Sequence, residues 1–425
     1  MRPLVAPLRL RSRAGGSHDR RVTWLELFFD LIFVAAVAQV AAPLHEHYSV
    51  AGLVRFTPLF ALIWWAWTGH TVFCTRFDPD DGLQRVLTLV QMFAVAVMAA
   101  NAKDALDSTE SAGFAAAYAA VRLVLVTQYL RARQVPGARP LATRYLAGHG
   151  MAALLWLASA LVPAPGRFWI WGLAFALDLG TPWLAVPHTV TAPPDAAHLP
   201  ERFGLFTLIL LGESVVAVMR GMESQEGWPP GAAVAAFLGM GIAFVIWWWY
   251  FDGAAGASEQ PVRTRREAFR FHIWTYAHFP LALGIVVAGV GVQLIVTAAA
   301  RAELAADETM LLATATGLVM AAVTVIGAVS GIGQTRGGTA SLAHAAIVAA
   351  TLGLGFLGHL GIVTSPVTLV VAIAGLSAAQ LAVSLSQRHA TLRETAVTSG
   401  YGDGDVPSTR RSDEPFRYRS KKAIV

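Results

Sequence analysis

The stretch 23–43, TWLELFFDLIFVAAVAQVAAP, decides the fold class. About 20 mostly apolar residues suffice for a helix to cross a bilayer, and this stretch supplies them. It also carries two acids, Glu26 and Asp30, four residues apart and so on one helical face, with Thr23 one turn earlier. Eleven further stretches pass the same test, roughly 53–73, 84–101, 112–130, 146–163, 168–186, 203–220, 231–251, 274–297, 310–330, 339–358 and 366–385.

The composition agrees. Of 425 residues, 55% are hydrophobic and only 14% charged, against about 25% charged in a soluble domain. Such a chain cannot cover a water-facing surface, which excludes a disordered, collagenous or soluble nucleic-acid-binding protein. One cysteine, Cys74, excludes a disulfide framework and a thiolate metal cluster. The 13 Trp and 21 Phe suit membrane interfaces and packed helices.

The net charge of +5 is spread over loops rather than gathered into a binding face. With the N-terminus placed inside, alternating loops put 26 of the 32 Lys and Arg residues on the cytoplasmic side and 5 on the other, with Arg122 left inside a span. That asymmetry predicts an all-α, polytopic integral membrane protein with twelve transmembrane helices and both termini in the cytoplasm. The expected organisation is a basic cytoplasmic N-terminus over 1–22, six helices over 23–186, a cytoplasmic linker over 187–202, six helices over 203–385, and a largely disordered cytoplasmic tail over 386–425.

An internal repeat supports that division. Asp30 lies in Leu27-Phe28-Phe29-Asp30-Leu31, and Glu213 in Leu210-Leu211-Gly212-Glu213-Ser214. Ile63-Trp64-Trp65-Ala66-Trp67 is matched by Ile246-Trp247-Trp248-Trp249-Tyr250, and one offset of 183 aligns the acids and the Trp clusters without a gap. Two tandem six-helix repeats in one orientation are therefore expected, related by a pseudo-twofold axis along the membrane normal.

A charge inside hydrocarbon costs about 2.5–3.5 kcal/mol on insertion scales, so intramembrane ionisable residues are functional candidates. Asp30 and Glu213 head them, and the repeat makes them face one another or a common cavity. Two carboxylates in one poorly hydrated site would share a proton or hold a cation. Glu26, nearer the cytoplasmic end, and His278 are further candidates. Arg122 needs a carboxylate, and Asp178 in the same half is the expected partner; Gly180 and Pro182 after it suggest a broken helix. Trp64, Trp65, Trp247 and Trp248 read first as an aromatic belt and second as a ligand wall. His70, His344 and His359 read as helix–helix hydrogen bonds, and His45-Glu46-His47 as part of an outer loop. No ligand spacing predicts a metal site or a cofactor. The glycines at 284, 289 and 291, and at 353, 355 and 358, follow no strand and read as close helix packing.

The motifs resemble a known family. Val22-Thr23-Trp24-Leu25-Glu26-Leu27-Phe28-Phe29-Asp30-Leu31-Ile32-Phe33-Val34 is similar to the opening motif of the bacterial low-temperature-requirement A proteins. His198-Leu199-Pro200-Glu201-Arg202-Phe203-Gly204-Leu205-Phe206, running into Leu211-Gly212-Glu213-Ser214, resembles their central motif, and Tyr276-Ala277-His278-Phe279-Pro280-Leu281 a third. The resemblance implies a multi-pass inner-membrane protein linked to growth in the cold, without a settled reaction, and singles out Glu26, Phe29, Asp30, Glu201, Arg202, Gly212, Glu213 and His278.

Three functions are compatible with these residues. A transporter would bind a proton, monovalent cation or small solute at Asp30 and Glu213, with Glu201 and Arg202 at the cytoplasmic entrance. A membrane enzyme would use the same carboxylates as acid and base on a lipid-like or isoprenoid substrate. A structural or sensing protein would use them for packing. The lipid bilayer is the expected partner, nucleic acid is not, and the oligomeric state is open.

Overall fold

The computed structural model describes residues 3–11, 22–77, 81–107, 111–225, 227, 229–254, 262–301, 304–330 and 338–398. The tail beyond 398, Arg13 and Lys421-Lys422 lie outside the described residues. In chain order the helices are α1 (Trp24–Glu46), α2 (Val50–Arg76), α3 (Gly82–Ala100), α4 (Ser111–Ala132), α5 (Arg139–Ser159) and α6 (Gly166–Leu184). The short α7 (Val186–Thr189) leads to α8 (His198–Glu223), α9 (Pro230–Trp248) with a π-helical continuation Trp249–Ala254, α10 (Arg265–Arg301), α11 (Ala306–Ser330), α12 (Gly338–His359) and α13 (Pro366–Thr398).

Ten of these are long and apolar enough to cross a membrane. The ten do not include α5 and α6, where Arg139, Arg144 and His149, and Arg167 and Asp178, interrupt the apolar run. Large apolar side chains such as Phe93, Leu154, Phe237 and Phe356 point outward, as a lipid-facing surface requires. The protein is thus an all-helical polytopic membrane protein.

Three expectations are corrected. The last helix runs to Thr398, past its expected end at 385, so the first part of the anticipated tail is helical. The anticipated break in the sixth helix is absent: Pro182 sits in the last turn of α6, where the helix is about to end and a missing N–H disrupts little. The linker is shorter than 187–202, because Asp195 Oδ1 accepts the N–H groups of Ala197 and His198 and starts α8 at His198.

Helix pairings recur between the halves. The pairs α1–α2, α1–α3, α3–α4, α4–α5 and α5–α6 are matched by α8–α9, α8–α10, α10–α11, α11–α12 and α12–α13, whereas the extensive α9–α10 and α9–α13 packing has no counterpart at α2–α3 and α2–α6. The halves meet where α1 and α2 pack on α8 and α10, and one continuous apolar core runs through both. Close α10–α11 packing explains two of the glycines. A Cβ at Gly284 would lie 2.7 Å from Val319 Cγ2, and one at Gly291 would lie 3.0 Å from Leu312 Cα.

The N-terminal segment is strapped to the bundle rather than free. The N–H of Leu83 donates to Leu4 O (2.8 Å), that of Ala6 to Asp81 Oδ2 (2.8 Å), and Arg131 Nη2 to Asp81 Oδ2 (2.5 Å). Asp81 also caps α3 through the Gln84 N–H (2.8 Å). Burial by itself would raise the Asp81 carboxyl, but the two N–H groups and Arg131 outweigh it and hold the group below the usual carboxylate range.

A depressed folded-state pKa adds stability that is full above the unfolded value of about 3.9 and is lost as pH falls through the folded value. Thermal unfolding in detergent should therefore show wild type losing more stability than Asp81→Asn between about pH 6 and about pH 3. At neutral pH, Asp81→Ala should cost about 1–2 kcal/mol through the lost cap.

Candidate functional site

The site grows from the start of α1. Thr23 Oγ1 accepts the Glu26 N–H (3.3 Å) while Glu26 Oε2 accepts the Thr23 N–H (2.8 Å), a capping box that fixes Glu26 at the helix mouth. One turn on, Asp30 is fully buried. Its Oδ1 accepts Trp67 Nε1–H from α2 (2.7 Å) and Arg202 Nη2–H from α8 (2.5 Å), while Oδ2 has no hydrogen-bond partner.

Arg202, also fully buried, reaches Glu26 Oε1 with Nη1 at 3.2 Å. The same Glu26 oxygen meets His198 Nε2 at 3.1 Å, and His198 Nδ1 lies 3.6 Å from the half-exposed Glu201. Glu201, His198, Glu26, Arg202 and Asp30 thus form a row of polar side chains from surface to core, across the seam between the halves, in which the outermost step, Glu201 to His198, is an ion-pair distance rather than a hydrogen bond. Each opposite charge offsets part of the desolvation of its neighbour, which runs to several kcal/mol per buried ion.

Glu213 belongs elsewhere. Its Oε1 is 3.1 Å from Arg220 Nη1 and 4.0 Å from His45 Nε2, whose Nδ1 meets Gln293 Oε1 at 2.7 Å. Helices α1 and α8 run parallel, with Asp30 level with Arg202 and His45 level with Glu213. Eleven residues separate Arg202 from Glu213, about 16 Å at 1.5 Å per residue. The two acids therefore do not share a cavity. Carrying the offset of 183 from Trp24 would start the matching helix at 207, but α8 starts at His198, so the halves are out of register here.

The remaining candidates separate in the same way. His278 spends both ring nitrogens on Trp274 O (2.7 Å) and the Tyr250 hydroxyl (3.0 Å), tying α10 to the π-helical turn. Trp64 and Trp65 are buried between the halves, because α2 is enclosed by neighbours over most of 59–76, so they form no belt. Trp247 and Trp248 face outward, 38% and 37% exposed.

Arg122 and Asp178 meet as expected, Nε to Oδ2 at 2.9 Å and both fully buried. A third member carries no signal in the sequence: Asp178 Oδ1 also holds His149 Nδ1 at 2.5 Å. A carboxylate only accepts, so Nδ1 carries a proton, and whenever the ring is neutral its lone pair is on Nε2. That Nε2 lacks a partner, and His149 lines a cavity of about 20 Å³ with Trp65, Thr68, Tyr145, Phe271 and His272.

Arg76, counted from sequence as a loop charge, is fully buried beside this cavity. Its guanidinium lies 5.1 Å from the Tyr145 ring centroid and 5.9 Å from that of Phe271; its nearest polar neighbours are the phenol oxygens of Tyr129 and Tyr145, neither in strict hydrogen-bond geometry, and no carboxylate among the described residues reaches it. Ring contacts return about 0.5–2 kcal/mol each, less than the several kcal/mol that burying a guanidinium costs. No group of three or more metal-ligating side chains occurs among the described residues.

The family model described as "Bacterial low temperature requirement A protein (LtrA)" matches residues 21–381, which include Asp30, Arg202 and both polar chains. The chain belongs to the LtrA family. It is also 28% identical over 294 residues to an uncharacterized protein of Rhizobium meliloti (strain 1021), a match covering 66% of this chain and 70% of the relative. No solved structure matches it. The matched span covers every residue of the Glu201-to-Asp30 chain, so this LtrA protein carries its buried charges inside the family region.

Proposed function

We propose that this LtrA protein is a transport protein of the cytoplasmic membrane that moves a proton, alone or with a small ion or solute, along the seam between two six-helix repeats. Both termini face the cytoplasm in this reading. The observation that carries it is the row of proton-carrying groups from half-exposed Glu201 through His198 to Glu26, which the Arg202 guanidinium ties to fully buried Asp30.

Purely structural ion pairs need no exposed end, whereas a proton path needs both an entrance and a deep acceptor. Glu201 and His198 form the entrance. Asp30 Oδ2, an acceptor without a partner, takes the proton from Glu26 one turn away, while Arg202 keeps its own and only answers the change of charge. Neutralising Asp30 removes its attraction for Arg202, whose guanidinium then rests on Glu26 alone; that exchange of partners between α1 and α8 is the step by which protonation moves one half against the other. Glu213, with Arg220 and His45, stands at the far end of the same helix pair as the exit.

In proteoliposomes, His198→Gln should slow proton influx by about tenfold or more, since it breaks the relay while leaving both buried carboxylates paired with Arg202. An unchanged rate in a folded variant would remove His198 from the path.

A further inference from the structure

We propose that the cavity between α2, α5, α6 and α10 is a binding site for a monatomic anion of chloride's size, occupied together with a proton on His149. This names a substrate class for the transport reading above and rests on it only for the movement, not for the binding.

The argument starts from charge. Arg76 cannot shed its proton, is fully buried, and has no carboxylate partner among the described residues. A buried permanent cation requires a compensating anion. The two rings that sandwich it, Tyr145 and Phe271, are also walls of the cavity. The second buried cation nearby, Arg122, is neutralised by Asp178. Arg76 therefore sets the sign of the local field, and it is positive.

Unpartnered polar atoms on the walls supply the rest. Thr68, His149 and His272 line the cavity; Thr68 Oγ1 and His149 Nε2 have no hydrogen-bond partner, and the Pro182 carbonyl lies beside the His272 ring. His272 Nδ1 is committed to Ala268 O at 2.6 Å, as His149 Nδ1 is to Asp178, so whenever either ring is neutral its lone pair is on Nε2. Lone pairs repel an anion. Protonated, the same nitrogens become N–H donors, so anion and proton enter together. The groups around His149 are Asp178 from α6, Arg122 and Tyr129 from α4, Tyr145 on α5 itself, Arg76 from α2, and His272 and Tyr276 from α10.

Size selects the ligand. A cavity needs about 10–15 Å³ to hold one water, and about 20 Å³ is room for one particle of that order. Position links it to the proton path, because Trp67, the donor to Asp30, directly precedes Thr68 on α2.

The test is thermal unfolding of the purified full-length protein in sodium chloride against sodium gluconate at matched ionic strength, at about pH 6 and about pH 8. Chloride should raise Tm saturably over gluconate, with tighter binding at the lower pH. Arg76→Gln should weaken that binding about tenfold or more, and Arg76→Lys, which keeps the charge, should retain part of it. Thr68→Val, a smaller change, should weaken binding without loss of fold, and His149→Gln should flatten the pH dependence.

Equal Tm in the two salts for wild type overturns the site. So does an equal chloride response in Arg76→Gln and Thr68→Val, or stabilisation by ammonium instead of chloride. Chloride binding without proton flux in vesicles keeps the site and removes the transport reading, whereas proton flux without a chloride response removes the site alone.

Discussion

Arg202→Gln should be among the most damaging single substitutions in the protein, costing about 3–5 kcal/mol of stability. Arg202 is fully buried and is the cation shared by Asp30 Oδ1 at 2.5 Å and Glu26 Oε1 at 3.2 Å. Removing it leaves Asp30 with a single neutral donor, Trp67, inside the bundle. The remaining charge must either stay unpaired or take up a proton, and both outcomes uncouple α1 from α8. Thermal unfolding in detergent measures the loss. The companion variant Asp30→Asn/Arg202→Gln should recover much of it, because two neutral amides can hydrogen-bond where one lone carboxylate cannot be solvated. If Arg202→Gln alone unfolds like wild type, the ion pair does not hold the seam.

The second large effect is expected within the first half. Asp178→Ala removes the acceptor of His149 and the counter-ion of Arg122, all three buried. The stranded Arg122 guanidinium would retain only Tyr118, whose hydroxyl accepts Arg122 Nη2–H at 2.5 Å and whose ring lies 4.8 Å away. A loss of about 3–5 kcal/mol follows. Replacing the pair together, Asp178→Leu with Arg122→Met, should cost far less, since well-packed apolar residues replace a buried ion pair at little or no expense. A double variant as unstable as Asp178→Ala would mean that His149, rather than the unpaired charge, is what the site depends on.

The residues legible in the sequence were those whose type was anomalous for their setting. Asp30, Glu26, Arg122 and Asp178 stood out because charge is costly in hydrocarbon, and the last two were paired correctly because one half held few candidates. Partnership across the halves was not legible: Asp30 and Arg202 are 172 positions apart, and nothing in a single sequence reports the axial slide of α8 against α1. The repeat misled here, since a shared offset fixes correspondence but not depth.

The burial of Trp64, Trp65 and Arg76 is not legible in the sequence for a related reason. Apolar composition shows that a helix is inside the membrane, not whether each face meets lipid or protein, and α2 meets protein over most of 59–76. His198 lay in a quoted motif without carrying an anomaly, and His149 lay in none. Both acquire meaning only from the carboxylate each one meets.

Proton influx into vesicles holding wild type, Asp30→Asn or Glu213→Gln, each checked for folding, tests the central claim most directly. With Asp30 as the deep acceptor, Asp30→Asn should reduce influx by about a hundredfold, while Glu213→Gln, some 16 Å along α8, should slow it without abolishing it. Wild-type influx in a folded Asp30→Asn protein would contradict the account.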